Sequence, residues 1–80
     1  MQVNTVIRSM LDARGVSARA TSLDLGRNDS FVGHVARASR VPSIATVADV
    51  ADVLGYDLAI VDRTTGEELG RVVPPRRSAG

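Results

Sequence analysis

The sequence contains no cysteine and no tryptophan, and it has a single phenylalanine, Phe31, and a single tyrosine, Tyr56. Without cysteine, the chain can form neither disulfides nor thiolate metal sites. Because large aromatic side chains are scarce, valine, alanine, leucine and isoleucine must fill the interior. A core of that kind in an 80-residue chain is stable by a modest margin and often gains support from a second subunit.

Long apolar runs are also missing, since none approaches the roughly 20 residues that a membrane span needs. The first ten residues lack a signal-peptide pattern, because polar side chains interrupt their apolar positions. We therefore expect a cytoplasmic protein with no membrane partner. The chain has no glycine-rich phosphate loop, no nucleophile–base pairing and no metal-ligand spacing. We expect it not to be an enzyme, with no catalytic site, metal, cofactor or small-molecule ligand.

Lysine is absent as well, so all ten cationic side chains are arginines. The formal net charge is only +1, but the charges are unevenly distributed along the chain. Residues 1–40 contain six arginines and three acids, whereas residues 41–80 contain four arginines and six acids. A positive first half and an acidic second half suit a protein that turns one face toward a polyanion.

The spacing of apolar residues predicts four helices, and the residues between them are suited to begin and end helices. An amphipathic pattern covers residues 2–14 and ends at Gly15. Ser17 is a good N-cap for a short second helix that ends at Leu25, and Asn28 can cap a third. Ser43 can cap a fourth helix with a clear apolar stripe, closed by Gly55.

After residue 56 the pattern changes from helical to extended. Leu58–Val61 and Leu69–Val73 are predicted to form two strands of a β-hairpin, joined by a turn with Gly66 at positive φ. The last residues have no apolar periodicity, which predicts a disordered tail. The predicted class is mainly α: a four-helix domain over residues 1–56, a hairpin over 57–73, and a tail over 74–80.

The most informative stretch runs from Gly15 to Leu58. Two short helices joined by a tight turn at Gly26 and packed between longer helices are the components of a helix-turn-helix. The stretch resembles the Cro/repressor-like (XRE-type) helix-turn-helix family without a gap. The matching segments are Gly15-Val16-Ser17, Leu25-Gly26, Asn28-Asp29-Ser30-Phe31-Val32, Pro42-Ser43-Ile44-Ala45-Thr46-Val47 and Ala51-Asp52-Val53-Leu54-Gly55-Tyr56-Asp57-Leu58.

This resemblance implies a repressor-like domain whose third helix lies in the major groove of double-stranded DNA. The base-contacting positions it implies are Asp29, Ser30, Gly33 and His34, with Gly33 permitting close approach. The phosphate-contacting candidates are Ser17, Arg19, Arg27, Asn28, Arg37 and Arg40. Ala18 is a departure, because the family commonly has a glutamine there that reaches a phosphate. Ala36-Arg37-Ala38 departs too, and it predicts a locally different loop after the third helix.

Several of these residues also have ordinary structural interpretations. Asp29 can complement the dipole at the start of a helix instead of reading a base. His34 can be a solvated helix residue instead of a groove contact. Phe31 is in phase with Val35, which favours a place in the core over stacking on DNA. Arg76-Arg77 fits a soluble tail, or a weak arm along the DNA.

The hairpin predicts a homodimer. Leu58 and Ile60 would face one way, and Ala59 and Val61 the other, so the first strand is apolar on both faces and needs cover. HipB-type antitoxins in the resembled family carry a C-terminal strand that pairs between subunits. We expect dimerisation through Leu58, Ile60, Val61 and Leu69.

The expected function is a dimeric transcriptional regulator, most simply a repressor, on a near-palindromic operator. Two alternatives stay open. One is the antitoxin of a toxin–antitoxin pair, which would also bind a toxin protein. The other is a protein-binding adaptor that does not bind DNA.

Overall fold

A computed structural model describes residues 2–37 and 41–74. Four helices come first, and an antiparallel hairpin of two strands follows. The elements are α1 (Val3–Arg14), α2 (Ala18–Asp24), α3 (Phe31–Arg37), α4 (Ile44–Val53), β1 (Leu58–Val61) and β2 (Glu68–Val72). The predicted mainly α class and the predicted order of elements are confirmed.

The ends of the helices follow the predicted signals. Gly15 ends α1 in the left-handed region at φ 65°, where a glycine meets no steric penalty. The Ser17 hydroxyl accepts a hydrogen bond from the Ala20 N–H at 3.0 Å, and the Ser43 hydroxyl accepts one from the Thr46 N–H at 3.2 Å. Each of these bonds satisfies an N–H that has no partner inside its own helix.

The start of α3 differs in detail from the prediction. Asn28 Oδ1 accepts hydrogen bonds from the Ser30 N–H at 3.0 Å and from the Ser30 hydroxyl at 2.9 Å. These bonds form a turn ahead of the helix, which begins only at Phe31. Asn28 therefore stabilises the turn that precedes α3. It lies further from the first helical residue than an N-cap would.

The core lies where α1, α3 and α4 meet. Ile7, Val32 and Val50, one from each of these helices, have no exposed surface. The buried cluster also contains Leu11, Ala36, Val47 and Leu54, and Phe31 and Val35 pack against it while partly exposed. The predicted core place of Phe31, in phase with Val35, is thus confirmed, and Val32 is the most buried residue of α3.

The first strand of the hairpin begins at Leu58 as predicted, but the second begins at Glu68, one residue earlier than predicted. Leu58 pairs with Val72, Ile60 with Gly70 and Val61 with Glu68, so a bulge at Leu69 shifts the register. Gly66 closes the turn at φ 77°. Pro74, which the sequence pattern assigns to the disordered tail, is fully buried, and the rest of that predicted tail lies outside the described residues.

Within the described ranges, no helix combines the length and the apolar character needed to cross a membrane.

Candidate nucleic-acid interface

The seven-residue helix α3 has two clearly different sides. Ser30, Gly33, His34 and Arg37 follow one another at intervals of three, one and three residues, which places them on one helical face. Of these, Ser30, His34 and Arg37 are exposed and Gly33 is half-buried. The opposite side carries Val32 and Ala36 in the core. The packing therefore leaves a polar face of α3 in solvent.

A buried hydroxyl fixes α3 against α2. Ser22, with no exposed surface, donates a hydrogen bond to the Ala18 carbonyl at 2.7 Å and accepts one from the Val32 N–H at 2.9 Å. Thr21 is buried beside it and donates to the Ser17 carbonyl at 3.0 Å. The α2–α3 junction is thus held by a polar bridge in addition to apolar packing. The sequence pattern predicts only that this part of α2 is small and polar, and it contains no sign of the bridge.

Asp29 lies in the turn before α3 and pairs with Arg19 near the start of α2, at 3.5 Å between Oδ2 and Nε. Both side chains are largely exposed, so water screens the pair and its net contribution to stability is small. The pairing brings two of the predicted contact residues next to each other. Asp29 stands two residues before the first helical residue, so its carboxylate lies at the entry to α3 and not on the helix itself.

Arg27 and Phe31 form a second contact at this end of the molecule. The Arg27 guanidinium carbon lies 4.9 Å from the centroid of the Phe31 ring. This distance is within the range of a cation–π interaction. Phe31 also packs against the core cluster, in agreement with its predicted core role. Arg27 is therefore held over an aromatic surface and keeps its charge exposed.

Arg37 folds back along α3 toward Gly33. Its Nε donates to the Gly33 carbonyl at 3.1 Å, and a Cβ on Gly33 would lie 3.6 Å from Arg37 Nη2 and 4.0 Å from the Ala18 Cβ. Gly33 thus faces the line where α3 meets α2. The small side chain at Ala18 leaves a shallow depression there, in which Arg37 forms one wall.

The predicted contact residues gather on the α2–α3 part of the chain. Ser17 caps the start of α2, Arg19 is the second residue of that helix, and Arg27 and Asn28 lie between α2 and α3. All four are exposed. Arg40, the remaining phosphate-contacting candidate, lies outside the described residues.

Two residues of α1 make contacts for which no local sequence signal exists. Arg14 Nε donates to the Leu54 carbonyl at 2.8 Å, and its guanidinium carbon lies 4.1 Å from the centroid of the Tyr56 ring. Asn4 Nδ2 donates to the Val35 carbonyl at 2.6 Å. Both hydrogen bonds join residues at least 31 positions apart, so only the folded structure could show them.

The hairpin presents apolar surface on both sides. Leu58 and Ile60 line an open apolar groove with Val3 of α1 and Ile44 at the start of α4. Ile60 and Val61 remain 48% and 55% exposed, and Leu69 at the bulge is 83% exposed. The four residues predicted for dimerisation therefore lie on two different surfaces of one hairpin.

The hairpin also carries a short row of charges. Arg71 pairs with Glu68 at 3.1 Å and with Asp57 at 2.5 Å. Glu68, and then Asp57, raise the pKa of the Arg71 guanidinium above its usual value, so it stays charged throughout the physiological range. Because all three groups are exposed, these ion pairs contribute little to stability.

Comparison with known proteins finds no match. No family model, no curated protein and no solved structure is significantly similar to this chain. The resemblance to repressor-like domains therefore stays a prediction from the sequence between Gly15 and Leu58.

Proposed function

We propose that the protein is a sequence-specific, double-stranded DNA-binding regulator of the repressor-like helix-turn-helix type, acting as a homodimer. In this proposal α2 and α3 form the helix-turn-helix, and α3 enters the major groove. The observation that carries it is the exposed polar face of α3, which has Ser30, His34 and Arg37 in solvent while Val32 and Ala36 hold the helix in the core.

The chemistry of that face suits reading base edges. A serine hydroxyl can donate or accept a hydrogen bond, a carboxylate such as Asp29 can accept one from cytosine N4, and a histidine can donate one to guanine. In the free protein the Ser30 hydroxyl bonds to Asn28 and Asp29 pairs with Arg19. Both interactions are exposed and weak enough to be exchanged for contacts with DNA. They would hold the side chains in place until DNA binds.

Arginines around the same helices would supply affinity. Arg19, Arg27 and Arg37 are exposed on α2, the following turn and α3. Each can bind phosphate oxygens, which positions the protein on the duplex without selecting a sequence. Ser17 and Asn28 offer further hydrogen bonds to the backbone. The acidic second half of the chain, including the hairpin, would face away from the DNA.

The dimer follows from the hairpin. A two-stranded hairpin is marginal on its own, and this one exposes Ile60, Val61 and Leu69. A second copy could cover these side chains and pair with a free strand edge. The described part of the chain measures 39 × 31 × 24 Å, which is comparable to the roughly 34 Å repeat of DNA that would separate the two α3 helices in the proposed dimer.

A salt titration of duplex binding tests the proposal. We expect log K to fall linearly with log salt concentration, with a slope of about −0.9 for each phosphate neutralised. Selection of bound fragments from a random duplex pool should yield a near-palindromic site. A His34→Ala variant should then lose discrimination at defined positions while keeping the salt slope.

The opposite result would count against DNA binding and favour the adaptor alternative. If the wild-type protein is folded yet associates with no duplex at low salt, the exposed face of α3 serves some purpose other than DNA binding. Thr64→Ala, in the turn of the hairpin, is the control for His34→Ala, and it should bind DNA as the wild type does.

A further inference from the structure

A depression between α1 and α3 has walls of arginine and a floor of small or apolar side chains. Its floor is made by Leu11, Ala18, Gly33 and Ala36, and its walls by Arg8 and Arg37. A neighbouring depression shares both arginines and continues to Asn4 and Thr5 at the start of α1. Arg8 and Arg37 therefore line both depressions, and they are the cationic residues in each.

Both guanidinium groups are available for a ligand. Among the described residues, the ion pairs involve only Arg19 and Arg71 as cations. Arg37 uses Nε to bind the Gly33 carbonyl, and this bond holds its guanidinium over the floor. Asp12, one turn after Arg8, lines neither depression. Two cations therefore share one small volume with no acid among its lining residues.

The shape of the floor decides what could bind there. A side chain longer than alanine at 18, 33 or 36 would occupy the space between the two arginines. A small tetrahedral anion in this depression would have both arginines among its lining residues, and guanidinium groups bind such oxyanions through paired N–H donors. A bulky apolar ligand would leave both guanidinium charges without a partner.

We propose that Arg8 and Arg37 together bind one backbone phosphate of the DNA duplex in this depression. This inference rests on the proposed function, and it adds to the interface a residue of α1 that lies outside the helix-turn-helix. The phosphate would bridge α1 and α3, so that the first helix helps to fix how deeply α3 enters the groove. A free inorganic phosphate has the same chemistry and would bind more weakly at the same place.

The first experiment measures duplex binding over a range of salt concentrations for wild type, Arg8→Gln and Arg63→Gln. Arg63 is an exposed arginine in the hairpin turn, so its variant is a control for loss of one positive charge. We expect Arg8→Gln to weaken binding severalfold and to reduce the salt slope by less than about 0.9, the value for one whole phosphate, because Arg37 still contacts the same phosphate. Arg63→Gln should leave both quantities close to wild type. Equal effects of the two variants would overturn the proposal.

A double-mutant cycle adds a sharper criterion. If Arg8 and Arg37 bind the same phosphate, Arg8→Gln combined with Arg37→Gln should weaken binding by less than the product of the two single effects, because the second substitution acts on a contact already impaired. Independent, multiplicative losses would mean that the two arginines bind separate phosphates, and the shared site would be wrong.

The second experiment separates this proposal from the proposed function. Inorganic phosphate is titrated into the isotope-labelled protein while the arginine Nε–Hε signals are followed by NMR. We expect the signals of Arg8 and Arg37 to shift together, and the Arg37 shift to be lost in Arg8→Gln. If these shifts occur but no duplex binds, the anion site stands and the DNA-binding proposal fails. If the duplex binds and neither signal responds to phosphate or to DNA, the anion site fails alone.

Discussion

At Gly33 the protein has room for one more methyl group on its own side of the proposed interface. A Cβ there would make only ordinary contacts, at 3.6 Å to Arg37 Nη2 and 4.0 Å to the Ala18 Cβ. Glycine inside a helix costs about 0.5–1 kcal/mol relative to alanine. We expect Gly33→Ala to raise the free energy of unfolding by about that amount, measured by urea denaturation, and to weaken binding of the duplex, measured by fluorescence anisotropy.

Ala13→Gly is the matched control, since Ala13 is an exposed residue of α1 that lines neither depression, and the substitution changes helix propensity by a similar amount in the opposite direction. It should leave duplex binding unchanged. A Gly33→Ala protein that is more stable and binds DNA as tightly as the wild type would show that the duplex does not approach this position closely.

The hydrogen bonds of the Ser22 hydroxyl hold α3 in place against α2. In Ser22→Ala the Val32 N–H would lose its hydrogen-bond partner in a buried place. An unsatisfied buried donor costs about 1–3 kcal/mol, so we expect a decrease of that size in the free energy of unfolding. Ser30→Ala, which removes an exposed hydroxyl, should change it by less than about 0.5 kcal/mol. Similar losses for the two variants would contradict the bridging role.

At the scale of elements, Arg14 connects the end of α1 to the end of α4. Its guanidinium donates to the Leu54 carbonyl and covers the Tyr56 ring, so it satisfies a carbonyl group that the helix itself leaves open. We expect Arg14→Gln to lower the free energy of unfolding by about 1–2 kcal/mol, less than a fully buried charged bond would cost. Thermal denaturation followed by circular dichroism measures this.

The same variant distinguishes structural from DNA-binding arginines. Arg14 is bound to the protein itself, so the salt slope of duplex binding should stay at the wild-type value in Arg14→Gln. A reduction of the slope by about one unit would place Arg14 among the phosphate contacts instead.

Local chemistry explains why the elements could be predicted. Ser17 and Ser43 satisfy N–H groups within three residues of themselves, and Gly15 and Gly66 adopt conformations that their immediate neighbours require. Such signals are readable from sequence because cause and effect are adjacent in the chain. The shifted start of β2 shows the limit, since the bulge at Leu69 depends on the pairing of two strands.

The candidate site was only partly predictable for the same reason. The exposed face of α3 follows from helical periodicity around Val32, and Ser30 and His34 are exposed as expected. The Ser22 bridge and the neighbourhood of Arg8 with Arg37 depend on packing between separate helices. No pattern within a single helix distinguishes Arg8 from any other exposed arginine.

At the scale of the whole molecule, the hairpin surface should control assembly. We expect the double variant Ile60→Asp with Leu69→Asp to sediment as a monomer at concentrations where the wild type is a dimer, because two charges would be buried at the proposed subunit contact. Its affinity for a palindromic operator should fall more than its affinity for a single half-site.

Thr64→Asp adds a charge at the exposed turn of the same hairpin and serves as the control, with sedimentation as in the wild type. A dimer that persists in the double variant, with an unchanged circular dichroism spectrum, would exclude the hairpin as the contact between subunits.

The extra residue at Leu69 also bears on how the protein avoids uncontrolled aggregation. A flat ribbon with a free edge can recruit further chains without end, whereas a bulge bends the strand and interrupts its ladder of backbone donors and acceptors. In β2 the interruption falls beside the turn, so only the short stretch from Gly70 to Val72 keeps a regular edge. An edge that short can be completed by a single neighbour, and growth into fibrils would stop there.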